Sequence, residues 1–219
     1  MIDKLARIFG SKTKALEIVF LIQDLKPVVR QGFYDEELPK IIEFCKKNKL
    51  EIETSNYKVL LADNSHYSNK GIKIPEDDPR KGMHFVYISK DKGKAIMANV
   101  LEMKNDHRSF GMLLGYPKCC VDFYVKNASE MAKTDNDFLR QTVKSSKGYN
   151  YPFFSNIGKR SMDITLLSHF PCRFDCEESI KLAKKNLDLM KQHFPRLAER
   201  YQEELKGRVL MFDRFFEFE

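Results

Sequence analysis

The order in which this chain changes its apolar period restricts its fold more than any other feature. Leu16, Val19, Phe20 and Leu25 recur at near-helical spacing and stop before Pro27. A helix cannot run through that position, because proline lacks the N–H donor and collides with the preceding turn. Residues 35–47 repeat the helical signal, with Leu38, Ile41, Ile42 and Cys45 on one face. After Leu50 the signal becomes extended. Residues 50–53, 57–62 and 85–89 are short β-prone runs separated by turn residues, as expected of strands in one sheet. The stretch 64–82, with Gly71, Pro75 and Pro79, reads as a long surface connection. Helical spacing resumes over 90–103. This order predicts an α+β fold, a small sheet with helices packed around it.

Further along, Ile180, Ala183, Leu187, Met190, Phe194, Leu197 and Tyr201 mark one helical face, read as core packing, which Pro195 should split or kink. Residues 209–212 are β-prone and fit an edge strand. A chain of 219 residues with 42% apolar content can build such a core as one compact domain over 1–219. The pattern also admits a sub-boundary near 104–106, which would leave 105–219 as the cysteine-bearing region.

The longest apolar run, 18–22, is far short of the roughly 20 residues of a membrane span, and MIDKLARIFG lacks the apolar core of a signal peptide. A cytoplasmic protein without a membrane partner is the expectation. Thiols stay reduced in that compartment, so five cysteines point to metal or redox chemistry before structural disulfides. The formal charge of +7 comes from 38 basic and 31 acidic residues, scattered in sign, and reads mainly as a solvated surface. A pI near 9.0 permits nucleic-acid contact, but no RNA-recognition aromatic signature or basic helix stripe favours it. The partners are otherwise unspecified.

Four of the five cysteines form a constellation. In GYPKCC, Gly115 suits the left-handed position after a helix and Pro117 suits the first turn of the next, which puts Cys119 and Cys120 in that first turn. Asp175 and Glu178 have the spacing of a capping box, so a second helix is expected to begin at Cys176, with Cys172 just before it. Both cysteine pairs therefore fall at predicted helix N-termini, where exposed N–H groups and the helix dipole favour the thiolate a metal requires. Cys45 is different: it sits on an apolar helix face and reads as core.

The expected metal ligands are Cys119, Cys120, Cys172 and Cys176. An adjacent pair and a C-x3-C pair some fifty residues apart depart from the usual zinc spacing, and an iron–sulfur cluster accepts adjacent cysteines more readily. Iron–sulfur is thus the first expectation and zinc the alternative, with a thiol–disulfide pair or plain packing as further readings. His169 is a candidate ligand or hydrogen-bond partner of a cysteine sulfur; its other reading is a half-buried residue closing a strand over 163–168. His107 and His193 lack such a context, and Asp122, Asp175, Glu177 and Glu178 read as first-turn acids that complement helix dipoles. The segment KGYNYPFFSNIGKR at 147–160 reads either as an ordered loop with Phe153 and Phe154 in the core or as a pocket wall, with Arg160 or Lys159 for an anion and aromatics for a flat ring. Tyr116, Asn156 and Arg160 are the candidate pocket residues.

The motifs GYPKCC at 115–120 and HFPCRFDCEES at 169–179, with SNIGKR between them, resemble an archaeal family catalogued as domain of unknown function 483. The resemblance covers about 111–183 and implies that the cysteines matter, without supplying a substrate. Three functions follow as expectations: an iron–sulfur protein acting as an enzyme in sulfur transfer or in tRNA or cofactor modification; a zinc-stabilised, non-enzymatic interaction module; or a thiol–disulfide oxidoreductase. No residue pattern names a reaction.

Overall fold

The computed structural model describes residues 2–61, 71–133 and 138–219. Helices α1 (Ile2–Phe9) and α2 (Lys12–Ile22) lead into strand β1 (Val28–Phe33), helix α3 (Leu38–Lys47) and strands β2 (Glu51–Leu61), β3 (Gly71–Pro75) and β4 (Met83–Ser89). Helices α4 (Lys92–Met103), α5 (His107–Leu113), α6 (Lys118–Met131) and α7 (Phe138–Ser145) follow. The short strand β5 (Asn150–Tyr151), helices α8 (Glu177–His193) and α9 (Pro195–Leu205), and strands β6 (Gly207–Met211) and β7 (Arg214–Phe218) complete an α+β chain.

The first sheet has the order β1-β4-β2-β3 and is antiparallel throughout. Alternation of side chains along each strand gives it two apolar faces. Val29, Phe33, Val86 and Ile88 pack with Ile18 and Leu21 of α2 and with Ile41 and Cys45 of α3. Val28 and Tyr87 face the other way, against Ala98 of α4 and Leu114 after α5. The second sheet, β5-β7-β6, closes with a two-residue hairpin at Phe212 and Asp213, both at positive φ as a type I′ turn requires. Its inner face, Phe216 and Phe218, joins α8, α9 and the other side of α2 in the larger core.

Several expectations change. The two runs predicted at 50–53 and 57–62 are one strand, β2, carrying a bulge between Thr54 and Lys58. Ser55 fills the gap in the ladder by accepting from the Phe85 N–H at 3.0 Å and donating to the Tyr57 carbonyl at 2.7 Å. The connection predicted at 64–82 contains β3, while residues 62–70 lie outside the described part. Strand β1 was hidden by Pro27 and Gly32, and the expected strand over 163–168 does not form. Asp163 there has φ +61° and turns its carboxylate onto the start of α2, accepting from the Lys12 and Thr13 N–H groups at 2.7 and 3.0 Å. A tertiary cap thus replaces a strand. The helical stripe after Ile180 divides as expected, with Pro195 as the first residue of α9.

The turn that aims α6 is set by Gly115. At the end of α5 the Tyr116 N–H bonds the Gly111 carbonyl at 3.1 Å and the Gly115 N–H bonds the Met112 carbonyl at 3.0 Å, the paired bonds of a Schellman motif. Gly115 has φ +79°, and a Cβ there would come within 2.9 Å of the Pro27 ring. Both the backbone and the space demand glycine. Gly115→Ala is expected to lower the unfolding free energy by more than about 1 kcal/mol, read from urea denaturation.

Candidate metal centre

Cys119 and Cys120 occupy the first turn of α6, with Pro117 as its N-cap. Cys176 is the N-cap of α8. The capping box expected there is not made: Asp175 pairs with Arg173 at 2.9 Å and Glu178 with Lys181 at 2.8 Å. Cys172 sits on the loop between His169 and α8, which is tied down from outside the site. The Thr142 hydroxyl donates to the Pro171 carbonyl at 2.7 Å, and the Phe174 N–H donates to Ser146 Oγ at 2.9 Å. The Phe174 ring is wholly buried against Tyr151, Phe216 and Phe218.

These anchors bring the four sulfurs within 4.8 Å of one another. The Sγ atoms of Cys119 and Cys120 are 3.9 Å apart, Cys119 and Cys176 3.6 Å, and Cys120 and Cys176 3.7 Å. None is close to the 2.05 Å of a disulfide, and all five cysteines are free thiols. The group could hold a metal ion. Cys120 and Cys176 are buried, Cys172 is half-buried and Cys119 is exposed, so the centre lies just beneath the surface.

Without a cation the four thiols compete for charge. Hydrogen bonds from Cys120 and Cys172 hold Cys176 far below the ordinary thiol range despite burial. Its bonds to Cys172 and Cys176, with burial, push Cys120 up. At Cys172 the contact with Cys120 lowers the pKa, but the bond to Cys176, burial and neighbouring charge carry it up to about 12. Burial and Cys176 likewise raise Cys119. A bound cation would favour the thiolate form of all four and release the protons they hold.

Around the sulfurs, Cys120 Sγ accepts from the Cys172 N–H at 3.3 Å and lies 3.2 Å from Ser179 Oγ. Ser179 in turn lies 2.9 Å from Nε2 of His169. His169 therefore reaches the cysteines through a serine that sequence reasoning missed; the signal was its place three residues after Cys176, on the same turn of α8. The imidazole is buried rather than half-buried.

A cavity of about 330 Å³ opens beside Cys120, and Tyr116, Arg160 and His169 line it. Asn156 does not: its side chain donates to the Leu205 carbonyl at 2.7 Å and accepts from the Gly158 N–H at 3.0 Å, holding the loop to the end of α9. Phe153 is buried and stacks on Phe154 with centroids 4.2 Å apart. His107 lies at the cavity wall, edge-on to Tyr124. Cys45 is fully buried in the first core, where desolvation raises its pKa to about 12. Among the described residues no helix is long and apolar enough to cross a membrane.

The family described as a protein of unknown function, DUF483, matches residues 93–206. The chain belongs to this family. The DUF483 segment runs from α4 to the end of α9 and contains all four clustered cysteines, Ser179 and His169, while the first sheet and the β6–β7 hairpin lie outside it. Neither the curated proteins nor the solved structures gave a match.

Burial, followed by the positive charge of Lys26, lowers the His169 pKa to about 3. The unfolded chain, with an ordinary histidine near 6.5, then binds the extra proton between these values. Stability present above about pH 6.5 is lost as pH falls towards 3. Between pH 6.5 and 5 the parent protein is expected to lose on the order of 1–2 kcal/mol more than His169→Gln, measured by denaturation at both pH values.

Proposed function

We propose that this protein is a zinc-stabilised module in which Cys119, Cys120, Cys172 and Cys176 hold one tetrahedral ion. The observation that carries this reading is the spacing of 3.6–3.9 Å among the sulfurs of Cys119, Cys120 and Cys176, with the Cys172 sulfur within 4.8 Å of all three. Zinc–sulfur bonds of about 2.3 Å in a tetrahedron separate the sulfurs by roughly 3.8 Å. An iron–sulfur cluster sets its cysteine sulfurs outside a core of several irons, so those on different irons stand farther apart. The compact spacing therefore supports a single ion over the cluster that sequence spacing favours. Four thiolates also complete the coordination, and a closed set is characteristic of structural rather than catalytic zinc.

The ion would join the start of α6 to the start of α8 and the loop just before it, more than fifty residues further along the chain. Two helix dipoles directed at one thiolate cluster offset part of its negative charge. The N–H donor at Cys172 and the hydroxyl of Ser179 hold one ligand sulfur in place, the usual task of groups around a metal site.

Metal analysis and a visible spectrum of protein purified without oxygen test the proposal. The expected result is one zinc per chain and no colour. A brown protein with two or more irons per chain overturns it. Chelator should lower the melting temperature of the parent, and Cys176→Ser should lose the ion, while Cys45→Ala should keep it despite a lower stability.

A further inference from the structure

The cavity beside the cysteines carries a second site. Its wall presents Arg30, Lys73 and Arg160 against a single carboxylate, Glu102. That carboxylate is already spent: it takes both bonds of the Arg30 guanidinium, at 2.6 and 3.1 Å, and the Tyr87 hydroxyl at 2.8 Å. Three cations against one anion leave the lining with a net charge of +2. Arg160 contributes most of the unmet demand. Its Nη2 reaches the Ser168 carbonyl only at 3.5 Å, and its Nη1 is buried with no hydrogen-bond partner.

His169 adds an independent observation. The residue is 5% exposed, its Nε2 is engaged by Ser179, and its Nδ1 is buried without a partner. Two unpartnered polar atoms on residues of one cavity are costly unless something else satisfies them, because each loses its water on folding. Arginine can only donate, so its missing partner is an acceptor, and a carboxylate or phosphate meets it best.

The remaining wall is aromatic. Tyr124 stacks on Phe138 with centroids 4.3 Å apart, Phe170 follows at 5.9 Å, and the Arg160 guanidinium lies 5.2 Å from the Phe170 ring centre. Tyr116 closes the other side, 5.1 Å from the His169 ring. Flat faces beside a half-buried guanidinium suit a flat ring that carries its charge on a short arm. The volume of about 330 Å³ stands at the small end of ligand sites, which run from about 300 to 1,000 Å³.

We propose that this cavity binds a small aromatic anion, one flat ring bearing a carboxylate or phosphate that Arg160 anchors and His169 orients. Binding there does not depend on which ion the sulfurs hold.

Titration calorimetry on the full-length, metal-loaded protein tests it, with 4-hydroxyphenylacetate as the carboxylate probe and uridine 5′-monophosphate as the phosphate probe. Acetate, inorganic phosphate and p-cresol each carry one feature alone. At least one ring-bearing anion should bind at one per chain and at least tenfold tighter than every control, and the probe that does so identifies the anionic group. Arg160→Gln should weaken that binding roughly tenfold or more. Lys73→Glu, an exposed change at the cavity wall, should weaken it several-fold if Arg160→Gln does not fold. Binding no tighter than the controls, or affinity unchanged in the folded variants, overturns the proposal. Metal content measured on the same samples separates it from the zinc reading: binding by protein that carries iron in place of zinc would sink only the latter.

Discussion

Helix α2 sends apolar side chains into both cores, and the rest of the structure is arranged to bury them. Ala15, Leu16, Val19 and Phe20 face the larger core with α8, α9 and the second sheet, while Ile18 and Leu21 face the first sheet. A helix with apolar residues on two sides cannot rest one of them on a surface, so both halves of the chain close on it. Its first N–H groups are met from near and far in the sequence. Ser11 caps it at 3.1 Å and Asp163, some 150 residues away, bonds its first two free N–H groups.

The one carboxylate on that helix organises the polar interior. Burial opposes ionisation of Glu17, yet Lys26 at 2.7 Å and Gln31 at 3.1 Å hold its pKa below the usual value. Lys26 continues to Ser168 Oγ at 2.6 Å, on the segment that leads to His169 and Cys172. Buried pairs of this kind add little net stability but penalise other arrangements, since removing one partner strands a charge. The segment entering the cysteine cluster is thus fixed in position by the same helix that joins the two cores.

The centre itself follows from stiff supports. A Schellman turn aims α6, Phe174 anchors the intervening loop, and α8 begins at Cys176 itself. Little freedom remains for the four sulfurs, which is the preorganisation a closed metal site needs.

Much of this was legible in the sequence. Gly115 and Pro117 mark a helix end and a helix start because only glycine tolerates the left-handed turn and proline suits a first turn, and they place Cys119 and Cys120 without tertiary information. The stripe from Ile180 to Tyr201 and the break at Pro195 are equally local. Other features were not legible for physical reasons. Asp175 and Glu178 have capping spacing, yet Arg173 and Lys181 lie close enough to take both carboxylates. Residues 163–168 look extended, yet Asp163 gains more by capping a distant helix. Asn156 carries no mark of its bond to Leu205. Sequence by itself determined the identity of the thiols and their places at helix starts, because both depend on nearest neighbours. Only the tertiary structure decided the spacing of the sulfurs, because that distance is set by packing between segments more than fifty residues apart.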